Sequence, residues 1–208
     1  MLSLALLGFA AALGWTALIT PAVRALALGR NLIDRPDHRK VHTEAVPRLG
    51  GVALAVGLLL AGATVALVSP AARDLLSTHI REVASLVAAA WILGTVGLLD
   101  DLRGVGPRTK LLVQVAAGLL TFAGGNRLHL FEGAVVGPPV ALLLDLLATL
   151  LWVVAITNAM NLIDGLDGLA TGITTIVVLA LGVLSLRAGY PATAVVAITL
   201  AGDRKSVV

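Results

Sequence analysis

Apolar residues in this chain come in long runs rather than in the alternation of a half-buried strand. They cover 2–28, 49–68, 83–99, 111–125, 140–157 and 169–186, with a shorter run at 192–202. A helix needs about 20 apolar residues to cross the hydrocarbon of a bilayer. Lipid offers no partner for backbone N–H and C=O groups, so such runs are predicted to be helical. The pattern predicts an all-α polytopic membrane protein with six full transmembrane helices plus a truncated seventh. Residues 1–202 read as a single integral-membrane domain. Polar segments at 30–48, 69–82, 100–110, 126–139 and 158–168 are predicted connections.

Composition strengthens this reading. The chain is 58% hydrophobic and 13% charged, whereas a soluble domain carries about a quarter charged residues. It has no cysteine, so disulfides and thiolate metal sites are excluded. Only 3% of residues are aromatic, too few for base-stacking platforms, so nucleic acid is not an expected partner. The basic residues sort by loop. Arg24, Arg30, Arg35, Arg39, Lys40, Arg48, Arg103, Arg108 and Lys110 fall on one set, against Arg73, Arg81, Arg127 and Arg187 on the other. The positive-inside rule makes the first set cytoplasmic and puts the N-terminus outside. The segment 158–168 is then cytoplasmic too.

That segment, Asn158-Ala-Met-Asn-Leu-Ile-Asp-Gly-Leu-Asp-Gly168, lies between two apolar runs. Asn158, Asn161, Asp164 and Asp167 are three residues apart, so a continuing helix would carry them on one broad face. Amides and carboxylates at a membrane helix end are costly without partners and mark a functional site. A polar inter-helix turn explains such a cluster less well. Asp100-Asp101 closes the third run, facing the negative end of a helix dipole, and requires a cation, Lys110 or Arg108, or a metal. The loop Asp34-Arg-Pro-Asp-His-Arg-Lys-Val-His42, followed by Pro47-Arg-Leu-Gly-Gly51, is dense in groups suited to a phosphate-bearing substrate. Topology and headgroup contact account for its Arg and Lys, but poorly for His42 and the glycine pair. Asp145, near the outer end of the fifth run, reads as interfacial or paired with a neighbour. Acids, amides and bases with no Ser-His pair and no Walker loop suggest metal-assisted phosphoryl transfer at the membrane surface.

Three motifs in order carry a resemblance: Asp34-x-Pro36-x-x-Arg39-Lys40-x-His42, Asp100-Asp101 with Lys110, and Asn158-x-x-Asn161-x-x-Asp164-Gly165-x-Asp167-Gly168. The chain resembles the polyprenyl-phosphate N-acetylhexosamine-1-phosphate transferases, and within them the branch that transfers GlcNAc-1-phosphate from UDP-GlcNAc to undecaprenyl phosphate. The resemblance implies release of UMP, as the first membrane step of a cell-envelope polysaccharide such as teichoic acid or the O-antigen of lipopolysaccharide. It implies Mg2+, or Mn2+ in its place, as cofactor. The implied partners are a UDP-sugar, undecaprenyl phosphate, membrane lipid and a second copy of the chain in a homodimer. The implied location is the plasma (inner) membrane, with a cytoplasmic active site. By the same resemblance Asp100, Asp101 and Asp164 are catalytic, Lys40, His42, Lys110, Asn158 and Asp167 bind substrate, and Asn161 holds metal.

The end of the chain departs from the family pattern. A later Gly-Asp-x-Gly-Ser motif and a later basic His-containing loop, both expected from the resemblance, are not in this sequence. Residues 203–208, Asp-Arg-Lys-Ser-Val-Val, are what GAT CGG AAG AGC GTC GTG encodes, the start of a common sequencing adapter. The expectation is adapter read-through after residue 202, with the 208-residue chain impaired and its full-length parent active. An ion-coupled transporter is the alternative outside enzymology, but its carboxylates would belong near the midplane between repeats. A CDP-alcohol phosphatidyltransferase would follow Asp-Gly with Ala-Arg, where this chain has Leu169-Ala170-Thr171.

Overall fold

The computed structural model describes residues 1–34, 46–47, 49–131, 133, 137–163 and 169–205, the side chains of 33, 34, 46, 47, 204 and 205 excepted. Eight helices form among them: α1 (Leu2–Gly29), α2 (Gly50–Val68), α3 (Pro70–Thr78), α4 (Ile80–Arg103), α5 (Pro107–Ala123), α6 (Pro138–Ile163), α7 (Leu169–Arg187) and α8 (Pro191–Lys205). Two-residue strands β1 (Ile33–Asp34) and β2 (Val46–Pro47) pair antiparallel at the ends of the first polar loop. Of the described helices α1, α2, α4, α6 and α7 are long and apolar enough to cross a membrane. The fourth apolar run became α5, with 17 residues, and the seventh became α8, with 15.

Three elements differ from the sequence pattern. The connection 69–82 is not simply polar loop, because Pro70 begins α3 and Ser69 Oγ accepts a hydrogen bond from Ala72 N at 3.3 Å. Pro at the first helical position and a hydroxyl just before it are both helix-start features. The third run extends to Arg103, so Asp100 and Asp101 close a helix as expected, but that helix runs two residues past them. The fifth run extends to Ile163, so Asn158 and Asn161 are helical, while residues 164–168 lie outside the described residues.

The chain divides into two compact units, Met1–Thr78 with Ile163–Val208, and His79–Leu162. In the first, α1 packs against α2 and α8, and α7 against α8. Its contacts are made by small residues: Ala5, Ala12, Ala53, Ala61, Ala194, Ala197 and Ala201 are buried. In lipid, helices gain little from hiding apolar surface, so close backbone approach through small residues does the packing. Gly57 leaves the room that the fully buried Thr16 fills, and Thr16 Oγ1 donates to Asp203 Oδ1. Trp15 Nε1 donates to Thr64 Oγ1 at 2.9 Å.

In the second unit α4, α5 and α6 run up, down and up. Gly118 sits against Leu150, and Gly124 against Ser85. Arg81 Nη2 donates to the carbonyl of Ala123 at 3.0 Å, and Asn126 Nδ2 donates to Glu82 O and Ser85 Oγ, both at 2.9 Å. These bonds tie the end of α5 to the start of α4. Asp145 is 2% exposed; its Oδ1 accepts from Leu130 N at 3.0 Å and Phe131 N at 3.1 Å. Thr149 Oγ1 accepts from Leu128 N at 3.0 Å. Asp145 is thus paired, as an acceptor for the segment entering α6.

Candidate functional site

The candidate site of the second unit lies where the end of α4, the start of α5 and the end of α6 meet. α4 stops at Gly104, whose φ of 72° favours a residue without Cβ. Its N–H closes the last turn on Asp100 O at 2.9 Å. Pro107 then starts α5 at a position where a missing N–H costs nothing. This tight connection sets Lys110 opposite Asp100. Lys110 Nζ donates to Asp100 Oδ2 at 2.6 Å, while Val105 N donates to Oδ1 at 2.9 Å. Both oxygens of Asp100 therefore serve internal donors, one pinning a side chain and one pinning the turn. Lys110 is thus the cation of Asp100; Arg108, on the same turn, is exposed. Asp101 is exposed as well.

One turn further along α5 lies Gln114, 7% exposed. Its Oε1 accepts a hydrogen bond from Asn158 Nδ2 at 2.9 Å, and the same Nδ2 donates to Val154 O at 2.8 Å. Lys110 and Gln114 are four residues apart and share a face of α5. That face joins the acidic pair of α4 to the first asparagine of α6. Asn161 follows Asn158 by three residues, with an exposed side chain. Gln114 was absent from the sequence-based set. The signal for it was a lone amide in the apolar run after Lys110.

The structure brings Asp100, Lys110 and Asn158 into one neighbourhood, with Asp101 and Asn161 on the same helix ends. Lys40, His42, Asp164 and Asp167 lie outside the described residues. Among the described residues no three His, Asp or Glu side chains are grouped to hold a metal ion. Exposed amide and carboxylate oxygens of Asn158, Asn161 and Asp101 are nonetheless hard donors, the kind Mg2+ takes.

The family model described as glycosyl transferase family 4 matches residues 83–204, more than half of the chain and all three helix ends of this site. The chain belongs to glycosyl transferase family 4. Family members similar to it include the "Probable undecaprenyl-phosphate N-acetylglucosaminyl 1-phosphate transferase" of Bacillus subtilis (strain 168), 32% identical over 83% of this chain and 46% of the relative. The "Decaprenyl-phosphate N-acetylglucosaminephosphotransferase" of Mycobacterium tuberculosis (strain ATCC 25618 / H37Rv) is 36% identical over 96% of this chain and 51% of the relative. The "Undecaprenyl-phosphate alpha-N-acetylglucosaminyl 1-phosphate transferase" of Yersinia pestis is 28% identical over 80% and 43%. The chain spans about half the length of these family 4 relatives.

Proposed function

We propose that the full-length protein transfers GlcNAc-1-phosphate from UDP-GlcNAc to undecaprenyl phosphate, releasing UMP. The observation that carries this is the Asp100–Lys110 pair joined through α5 to Asn158, inside the segment that matches the family. A phosphate oxygen of undecaprenyl phosphate attacks the β-phosphorus of UDP-GlcNAc. The bond from that phosphorus to the bridging oxygen breaks, and UMP leaves with the electron pair. Lys110, held by Asp100, and Arg108 sit at the N-terminus of α5, where cationic side chains and helix N–H groups favour a phosphate. Asp100 and Asp101 are the acidic pair that acts on the attacking phosphate, as base or orienting group. Asn161 would hold Mg2+, and Asp164 is a further catalytic acid. The ion would screen the diphosphate and stabilise charge on departing UMP. Lys40, His42 and Asp167 serve the nucleotide-sugar.

Six full spans and a truncated seventh follow if α5 crosses the membrane with the five longer helices and α8 begins the seventh, and the positive-inside rule favours an outside N-terminus. The basic-residue count then supports a cytoplasmic active site in the plasma membrane. Teichoic acid or lipopolysaccharide assembly would consume the product, and a homodimer is compatible with the reading.

Membranes carrying the full-length gene product, given Mg2+, UDP-GlcNAc and undecaprenyl phosphate, should release UMP. Chelation by EDTA should stop release and Mn2+ should restore it. Release of UDP, or of neither nucleotide, overturns the proposal.

A further inference from the structure

Gln114 has no part in the reaction as written, yet it is a nearly buried amide one turn from Lys110. Its partner's geometry restricts what the partner can do. Asn158 Nδ2 donates to Val154 O, and a backbone carbonyl can only accept, so the nitrogen of this amide is identified by its neighbour. An amide nitrogen has two protons. Val154 O takes one and Gln114 Oε1 the other. The remaining polar atom of the exposed Asn158 side chain is Oδ1, which is only an acceptor.

We propose that Gln114 is a positioning residue: with Val154 O it takes both amide protons of Asn158 and so presents Asn158 Oδ1 as an acceptor at the end of α6. Asn158 then serves a cation or an N–H or O–H donor on the nucleotide-sugar, and not a phosphate oxygen. The inference rests on the proposed transferase reaction. Gln114 itself touches no substrate and acts through Asn158. Because Lys110 shares its face of α5, one helix sets both the lysine and the asparagine.

The test uses the full-length protein with Gln114→Met, which removes the acceptor at similar size, and Gln114→Glu, which keeps an acceptor at the same reach. Loss of an outer-shell partner commonly lowers activity by about 10- to 100-fold, and Q114M should lose kcat/KM in that range. Q114E should recover most of the loss. Combined with Asn158→Ala, Q114M should cost nothing further, since both changes remove one unit. A weaker Mn2+ affinity for Q114M, titrated by electron paramagnetic resonance without turnover, would identify a cation as the partner of Oδ1. A raised KM for UDP-GlcNAc with unchanged Mn2+ affinity would identify a substrate donor. An additive double variant, or Q114M equal to wild type in all these measures, overturns the inference while leaving the transferase reading intact. Should Q114M fail to fold, Gln114→Asn, which keeps the amide but shortens its reach, is judged by the same criteria. A wild-type protein that releases no UMP overturns the transferase reading and this inference with it.

Discussion

Replacing Asp100 separates its two jobs. Asp100→Asn keeps an oxygen for Val105 N but turns an N–H toward Lys110 Nζ, so the turn bond survives and the ion pair is lost. Asp100→Ala loses both. The side chains of Lys110 and Asp100 are 33% and 27% exposed, so water screens the pair and its worth is about 1 kcal/mol, the upper end for partly exposed pairs. The bond to Val105, at 2.9 Å, contributes about 1 kcal/mol more. Asn should therefore cost about 1 kcal/mol and Ala about 2 kcal/mol. For a chain of this size that is a fall in Tm of about 2–4 °C and about 4–8 °C. If the pair energy is spent holding Lys110 where the lipid phosphate arrives, its loss should also lower kcat/KM for undecaprenyl phosphate by about fivefold. The assays are thermal unfolding in detergent and UMP release by the full-length protein. Asn as destabilising as Ala, or both matching wild type in Tm and activity, would refute the reasoning.

Gly124→Ala would drive a Cβ into Ser85 Oγ and Cβ. Overpacking there should cost about 1–3 kcal/mol, read as a lower Tm, and Gly124→Ser should be worse. Asp145→Ala should expose the amides of Leu130 and Phe131 to hydrogen exchange, whereas Asp145→Asn, which retains an acceptor oxygen, should protect them. Loss of two bonds to one acceptor makes the Ala variant less stable by about 2–4 kcal/mol, and a wild-type unfolding curve for it would count against that role.

The helices were legible because lipid admits few alternatives to a helix for a run of 20 apolar residues. Their ends were not, since a helix continues past its last apolar residue into the interfacial zone, as α4 does through Asp100 and α6 through Asn161. The nine-residue α3 has no apolar run to mark it, although Ser69 and Pro70 are helix-start residues. The Asp100–Lys110 pair was legible in outline: an acidic pair demands a cation nearby. Gln114 was not. Whether a lone amide in an apolar run faces lipid or a neighbouring helix depends on the rotation of that helix, which only packing decides.

The length of α5 has a consequence for the surrounding lipid. Seventeen residues at 1.5 Å each span about 25 Å, less than the roughly 30 Å of a hydrocarbon core. Many short helices meet such a mismatch by shifting or by letting flanking side chains reach outward. This one is fastened near its start through Lys110, at its middle through Gln114, and at its finish through Ala123 and the segment to Asn126. If α5 crosses the membrane, local thinning of the bilayer around it is one way to meet the mismatch. Acyl-chain length would then be a variable of the activity proposed above.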